Sequence, residues 1–124
     1  MTISEHNRCR MSKMLVALFA HWKLPVKDQL GLLGASKSNK SLLTRYRQGS
    51  PLTNDRDKLE RAAIFLSIHK SLRLLFPHNR DLAYSWMTTP KCAFHGNTPT
   101  KLIDEHGMMG LYMAQNYLNR LIAR

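Results

Sequence analysis

The sequence predicts an all-α fold, and three observations predict it. Apolar residues recur at three- and four-residue spacing along most of the chain. No segment shows a convincing two-residue alternation, so strands have no support. Prolines and glycines fall where they would start and stop helices. The elements form an N-terminal group of short helices, one long helix, and a C-terminal group.

Each element has a local reason. Residues 1–9 are polar and are expected to be flexible. Met14, Leu15, Leu18, Phe19 and Trp22 form one stripe of an amphipathic first helix, with Ser12 able to cap it. Leu24-Pro25 ends that helix and begins a second, because proline is accepted in a first turn. The second helix carries Leu30, Leu32 and Leu33 and stops at Gly34. After the polar stretch Ala35 to Asn39, Leu42, Leu43 and Tyr46 place a third helix, closed by Gly49. Ser50-Pro51 is a loop, and Thr53 or Asn54 can cap a long helix reaching to about Phe76.

That helix carries Phe65, Ile68, Leu72, Leu75 and Phe76 as one stripe, widened by Leu59, Ala62, Ala63 and Leu66. Such width predicts burial on two sides and a spine-like role. Arg56–Glu60 and Asp57–Arg61 are spaced as i,i+4 ion pairs, each worth a few tenths of a kcal/mol. Pro77 ends the helix. Asn79 can cap a short one carrying Leu82, Ala83, Trp86 and Met87, and Thr88 to Asn97 is a loop. Thr98-Pro99 reads as N-cap plus first helical residue, with Gly107 as the stop. Leu111, Ala114, Leu118, Leu121 and Ile122 mark a last helix, where Arg120 and Arg124 suit the helix dipole.

The bulk numbers narrow the function classes. A chain of 124 residues can hold one compact domain or two small ones. Its longest apolar run, Met14 to Ala20, falls far short of the ~20 residues that span a bilayer. The polar N-terminus with Glu5 does not resemble a secretory signal, so a cytoplasmic location without membrane attachment is expected. Two cysteines, Cys9 and Cys92, make no disulfide framework and are expected to be reduced. The net charge of +11 is concentrated early: residues 1–51 hold nine Lys/Arg against two acids. Such a surface suits nucleic acid, an acidic protein or anionic lipid, or is merely solvated.

The second and third helices carry the clearest basic pattern. Ser36, Lys37, Ser38, Asn39, Lys40, Ser41, Thr44, Arg45 and Arg47 are all basic or short polar residues, the types that meet phosphates and base edges. Leu32-Leu33-Gly34-Ala35-Ser36, followed by Leu43, Tyr46 and Gly49, resembles the helix-turn-helix of Xre-type DNA-binding domains. The span from Gly34 to Leu43 is longer than in that motif, so the turn or the recognition helix must be extended. The resemblance implies operator DNA as a partner and, with a palindromic operator, a homodimer.

The C-terminal third is more specific. His69-Lys70-Ser71-Leu72-Arg73-Leu74-Leu75-Phe76-Pro77, Ala83-Tyr84-x-Trp86, Phe94-His95-Gly96-Asn97-Thr98-Pro99, Gly107-x-x-Gly110-Leu111 and Tyr117-Leu118 follow in order. This order resembles the toxin-binding domain of Xre/MbcA/ParS antitoxins. The resemblance implies a helical domain that grips a RES-type toxin and obstructs its NAD cleft, and it implies no catalytic residue. Trp86, Leu102 and Leu111 read as core. Lys91, Phe94, His95, Gly96, Asn97, Tyr117, Arg120 and Arg124 are the candidate toxin contacts. Pro90-Lys91 stands where the family commonly has Pro-Asn, which bears on partner choice. Phe94 is either an exposed anchor on a hinge or a ring tucked under its own loop.

Other chemistry is weakly supported. Cys92-x-x-His95 has ligand-like spacing, but no second Cys/His pair completes a metal site. No third group orients a Cys-His nucleophile. No phosphate-binding or dinucleotide-binding glycine motif occurs, and the few carboxylates are placed for helix ion pairs. Met108, Met109 and Met113 could line a plastic binding face or fill core. No cofactor and no enzymatic activity are expected.

The reading is therefore a type II antitoxin with 10–52 as an Xre-like domain, 53–67 as the connecting part of the long helix, and 68–124 as the toxin-binding domain. It would occlude a RES-type toxin that degrades NAD or transfers its ADP-ribose, and repress its own operon. The alternatives are a stand-alone helix-turn-helix regulator whose C-terminal domain dimerises, and a partner-binding module whose DNA-binding half is degenerate.

Overall fold

The protein is described by a computed structural model over residues 3–124, and the described residues contain seven α-helices and no strand. The helices are α1 (Glu5–His21), α2 (Val26–Leu32), α3 (Lys40–Arg47), α4 (Arg56–Leu75), α5 (Arg80–Ser85), α6 (Pro99–His106) and α7 (Met108–Ile122). The all-α fold class predicted from periodicity is the one found. The chain divides into two compact units between Ala63 and Ile64, inside α4.

In the first unit α1 packs on α3, and α3 on α2. Leu15, Leu18, Phe19 and Trp22 from α1, Leu30 and Leu32 from α2, and Leu43 and Tyr46 from α3 are all buried. Helix α1 starts earlier than the apolar stripe suggested. Ser4 is its N-cap, accepting from the Asn7 N–H, and Glu5 occupies the first turn. Ser12 is instead a fully buried mid-helix residue. Its hydroxyl donates to the Ser50 carbonyl at 2.6 Å. Arg8 works beside it: its carbonyl accepts from the Leu52 N–H, and its Nη1 donates to the Leu52 carbonyl at 3.0 Å. The start of α1 thus straps down the loop that follows α3.

Helices α1, α2 and α3 all end alike. The residue after each cap turns left-handed: Lys23 (φ 56°), Gly34 (φ 72°) and Gly49 (φ 101°). Each is accompanied by a pair of backbone bonds characteristic of the Schellman motif. They are Lys23 N to Ala20 O with Leu24 N to Phe19 O, Gly34 N to Gly31 O with Ala35 N to Leu30 O, and Gly49 N to Tyr46 O with Ser50 N to Arg45 O. Gly34 and Gly49 were legible as helix stops. Lys23 was not, because lysine is a residue that rarely turns left-handed.

Helix α4 is capped by Asp55, whose Oδ1 accepts from the Asp57 N–H at 2.8 Å, rather than by Thr53 or Asn54. The Thr53 hydroxyl is otherwise engaged, 3.0 Å from the Tyr46 hydroxyl. Phe65, Ile68 and Leu72 are completely buried, as is Ala62. Ala63, expected to widen the stripe, is exposed.

In the second unit α6 and α7 are a closely packed pair, with the 3-10 turn Trp86–Thr88 against α6. Asn79 caps α5 through the Leu82 N–H, and Thr98 caps α6 through the Lys101 N–H with Pro99 at the first position. The buried Thr100 hydroxyl donates to the Met87 carbonyl at 2.7 Å and fixes α6 to that turn. Two glycines allow the α6–α7 corner. Gly107 adopts φ 59°, ψ −133°, which is essentially closed to other residues. A Cβ on Gly110 would lie 2.5 Å from the Leu102 carbonyl oxygen and 2.9 Å from the Ile103 Cα, both backbone atoms that cannot step aside.

Candidate functional site

The nine residues proposed from sequence for DNA contact lie on one connected stretch of the first unit. Ser36, Lys37 and Ser38 form the turn, Asn39 is the N-cap of α3, and Lys40, Ser41, Thr44, Arg45 and Arg47 belong to α3 itself. All are exposed except the half-buried Asn39. Leu43 and Tyr46 take the inward positions, so the polar and basic side chains are left outward by the helix period. The extra length of the turn is ordered by its own side chains. The Ser36 and Ser38 hydroxyls are 2.8 Å apart, and the Ser41 hydroxyl donates to Asn39 Oδ1 at 3.2 Å. Asn39 makes no side-chain cap to α3. No carboxylate occurs anywhere between Asp28 and Asp55.

The candidate toxin contacts lie in the second unit, and the structure separates them by role. The 91–97 loop is a closed knot rather than a hinge. Lys91 N donates to the Asn97 carbonyl, Gly96 N and Phe94 N to the Lys91 carbonyl, and Asn97 N to the Phe94 carbonyl. Two consecutive left-handed residues, His95 (φ 57°) and Gly96 (φ 84°), turn the tip outward. Both are exposed.

Of the two readings open for Phe94, the structure shows the ring tucked under its own loop and not the exposed anchor. It is 5% exposed and packs edge-on to Tyr117 at 5.3 Å and to Trp86 at 6.4 Å. The Trp86 and Tyr117 rings stack at 6.3 Å. These three rings are the floor of the loop, which is why the loop can be short and still ordered. The Lys91 ammonium lies 5.4 Å from the centre of the Trp86 ring, a cation–π placement. Its partial burial pushes its pKa below the usual lysine value. Arg120 and Arg124 are exposed at the end of α7.

The sequence leaves the methionines of α7 between a binding face and core filling, and the structure turns Met109 and Met113 outward. Leu111, Ala114 and Leu118 are buried, as the period predicted. On the opposite side Met109 is 69% exposed, and Tyr112 and Met113 are each 43% exposed. Met113, Asn116, Asn119 and Arg120 line a groove of about 500 Å³ whose other wall is Ala93 and Phe94. Methionines are adaptable apolar contacts, and their exposure favours the binding-face use over core filling. The spacing of Met109 and Met113 along one helix fits a buried face as well as an open one.

Comparison with known proteins bears on this second unit. Residues 71–123 match the model of the family described as the antitoxin Xre/MbcA/ParS C-terminal toxin-binding domain. That stretch runs from the last turn and a half of α4 through α7 and includes every candidate toxin contact but Arg124. The match supports an antitoxin role and implies a toxin partner. The chain is also 29% identical, over 98 residues, to the uncharacterized protein y4oB of Sinorhizobium fredii, with 79% of this chain and 73% of that protein aligned. No helix among the described residues is long and apolar enough to cross a membrane.

Proposed function

We propose that the chain is the antitoxin of a type II toxin–antitoxin pair, that it binds a RES-type toxin over the NAD site, and that it represses its own operon. One observation carries the toxin half of the reading. Within the stretch that matches a toxin-binding domain, the exposed Met109, Tyr112 and Met113 share the outer face of α7, beside the groove walled by Ala93 and Phe94. An apolar strip next to exposed guanidinium groups suits a protein cleft with an apolar lip and acidic surroundings. The mechanism is occlusion: the 91–97 tip, Tyr117, Arg120 and Arg124 sit at the toxin's cleft, and NAD cannot enter. No chemistry is required of the antitoxin.

The DNA half rests on the exposed, carboxylate-free run from Ser36 to Arg47. Lys37, Lys40, Arg45 and Arg47 supply phosphate neutralisation, and no side chain caps the positive end of the α3 dipole. A homodimer on a palindromic operator, acting in the cytoplasm, completes the proposal. The rival is a stand-alone regulator whose C-terminal unit only dimerises, with the α7 face as the dimer surface.

The experiment is co-expression with the product of the neighbouring gene, followed by size exclusion. The expected result is a mixed complex that Met113→Asp with Arg120→Glu dissolves. A homodimer that the same double variant dissolves, with no mixed complex in either case, favours the rival and overturns the antitoxin reading.

A further inference from the structure

The C-terminal end of helix α2 leaves two carbonyls for another element to satisfy. Its Schellman motif occupies the Leu30 and Gly31 carbonyls. The carbonyls of Leu32 and Gly34 lie beyond that motif, and α2 carries no basic residue in its last turn to meet them. The cations come from α4. Arg61 Nη1 donates to the Leu32 carbonyl at 3.0 Å, and Lys58 Nζ donates to the Gly34 carbonyl at 3.1 Å. Asp57 holds both donors, with Oδ2 3.0 Å from Arg61 Nε and 3.4 Å from Lys58 Nζ.

Arg61 is the most buried member of the cluster, and Lys58 and Asp57 lie at its more open edge. The Arg61 side chain is only 12% exposed, so water does not readily replace its bonds. A Cβ on Gly34 would lie 3.0 Å from Lys58 Nζ and 3.2 Å from the Arg61 guanidinium. Glycine at this position therefore serves the left-handed turn and also leaves room for the two cations. Immediately beyond Gly34 and Ala35 begins the run Ser36–Lys40.

We infer that Lys58 and Arg61, oriented by Asp57, are positioning residues for DNA binding: they clamp the end of α2 and so fix the direction in which the Ser36–Lys40 turn leaves it. This rests on the reading of Ser36–Arg47 as a DNA surface. The two cations are spent on backbone carbonyls and on Asp57, so they act through the turn and not on phosphate. A cation on phosphate and a cation in a clamp predict different salt dependence. Removing one that neutralises a phosphate reduces the slope of log K against log salt by about 0.9, and removing one that does not leaves the slope alone.

The test compares the full chain with Lys58→Met/Arg61→Met on promoter DNA over a salt series, with amide exchange followed at Gly34 and Ala35. The clamp predicts at least a tenfold loss of affinity at every salt concentration, an unchanged slope, and faster exchange at both amides. A slope reduced by about 1.8 makes the pair phosphate ligands and overturns the clamp. Unchanged affinity and unchanged exchange overturn it equally. Should the double variant fold poorly, Asp57→Asn keeps both cations, frees them from their anchor, and is expected to show the same exchange change with a smaller loss of affinity. Wild-type protein that binds no promoter DNA sinks the DNA reading, whereas wild-type binding matched by the variants sinks only the clamp.

Discussion

The two units solve opposite problems with the same secondary structure. The first buries its large apolar residues apart from Met14 and Val26, and turns a basic, carboxylate-free run outward on α3. Its order comes from helix ends: three Schellman turns, the Arg8 and Ser12 strap, and the Asp57–Lys58–Arg61 cluster. The second unit uses its backbone differently. Its order comes from the close approach of α6 and α7 at Gly110 and from three packed rings under a knotted loop, while methionines and a tyrosine face outward on α7. On the proposed function, a polyanion would meet charge displayed on one turn and helix, and a protein would meet adaptable apolar surface beside a few cations.

The largest effect that breaks this contrast is expected at Gly110. Gly110→Ala forces a methyl into the Leu102 and Ile103 backbone and should cost about 2–3 kcal/mol. Denaturant unfolding should show the loss, toxin binding should fall with it, and promoter binding should survive if the units are separately ordered. Next, Lys40→Glu with Arg45→Glu should weaken promoter binding more than tenfold and flatten its salt dependence, with toxin binding retained. A double variant that bound DNA as well as wild type in a gel shift would remove the nucleic-acid role from α3.

Smaller effects sharpen the account of each unit. Among the left-handed stops of α1, α2 and α3, Lys23 alone is not glycine. Lys23→Gly should raise stability by about 0.5–1 kcal/mol, read from the denaturation midpoint. An unchanged or lowered midpoint would mean that the lysine stem contributes packing that offsets the strain.

The smallest effect concerns Lys91. Its folded pKa is lowered by desolvation, so between that value and the ordinary lysine pKa the unfolded chain binds more protons. Its contribution to stability is therefore present above the unfolded pKa and is lost as pH falls through the folded one. Lys91→Met should flatten the alkaline part of the stability–pH curve relative to wild type. Parallel curves for the two proteins would contradict that assignment.

The ends of elements were the most legible part of the sequence. Gly34, Gly49 and Gly107 take left-handed backbone that few residues accept, Asn79 and Thr98 supply cap acceptors with Pro99 at a first helical position, and each falls at a helix boundary. Ser12 and Asp55 show where that logic fails. A serine that can cap can also sit inside a helix if a carbonyl such as that of Ser50 waits for it, and nothing local reveals that carbonyl. Asp55 prevailed over Thr53 because the Thr53 hydroxyl meets Tyr46, a tertiary contact invisible to a local reading.

The candidate sites divide the same way. Outward positions on α3 follow from the helix period once Leu43 and Tyr46 are assigned inward. Phe94 could not be decided from sequence, because a loop aromatic is equally suited to either side until Trp86 and Tyr117 are seen to receive it. The exposure of Met109 and Met113 was equally hidden, since their spacing fits a buried face as well as an open one.

The central claim is that the outer face of α7 closes a toxin's NAD site. It is tested most directly by titrating purified chain into the neighbouring gene product while NAD consumption is followed. The account predicts stoichiometric loss of NAD consumption with wild type and none with Met113→Asp/Arg120→Glu, a variant whose altered side chains are exposed and should leave the helical circular dichroism unchanged. NAD consumption unaffected by wild type, or inhibited equally by the folded variant, would contradict it.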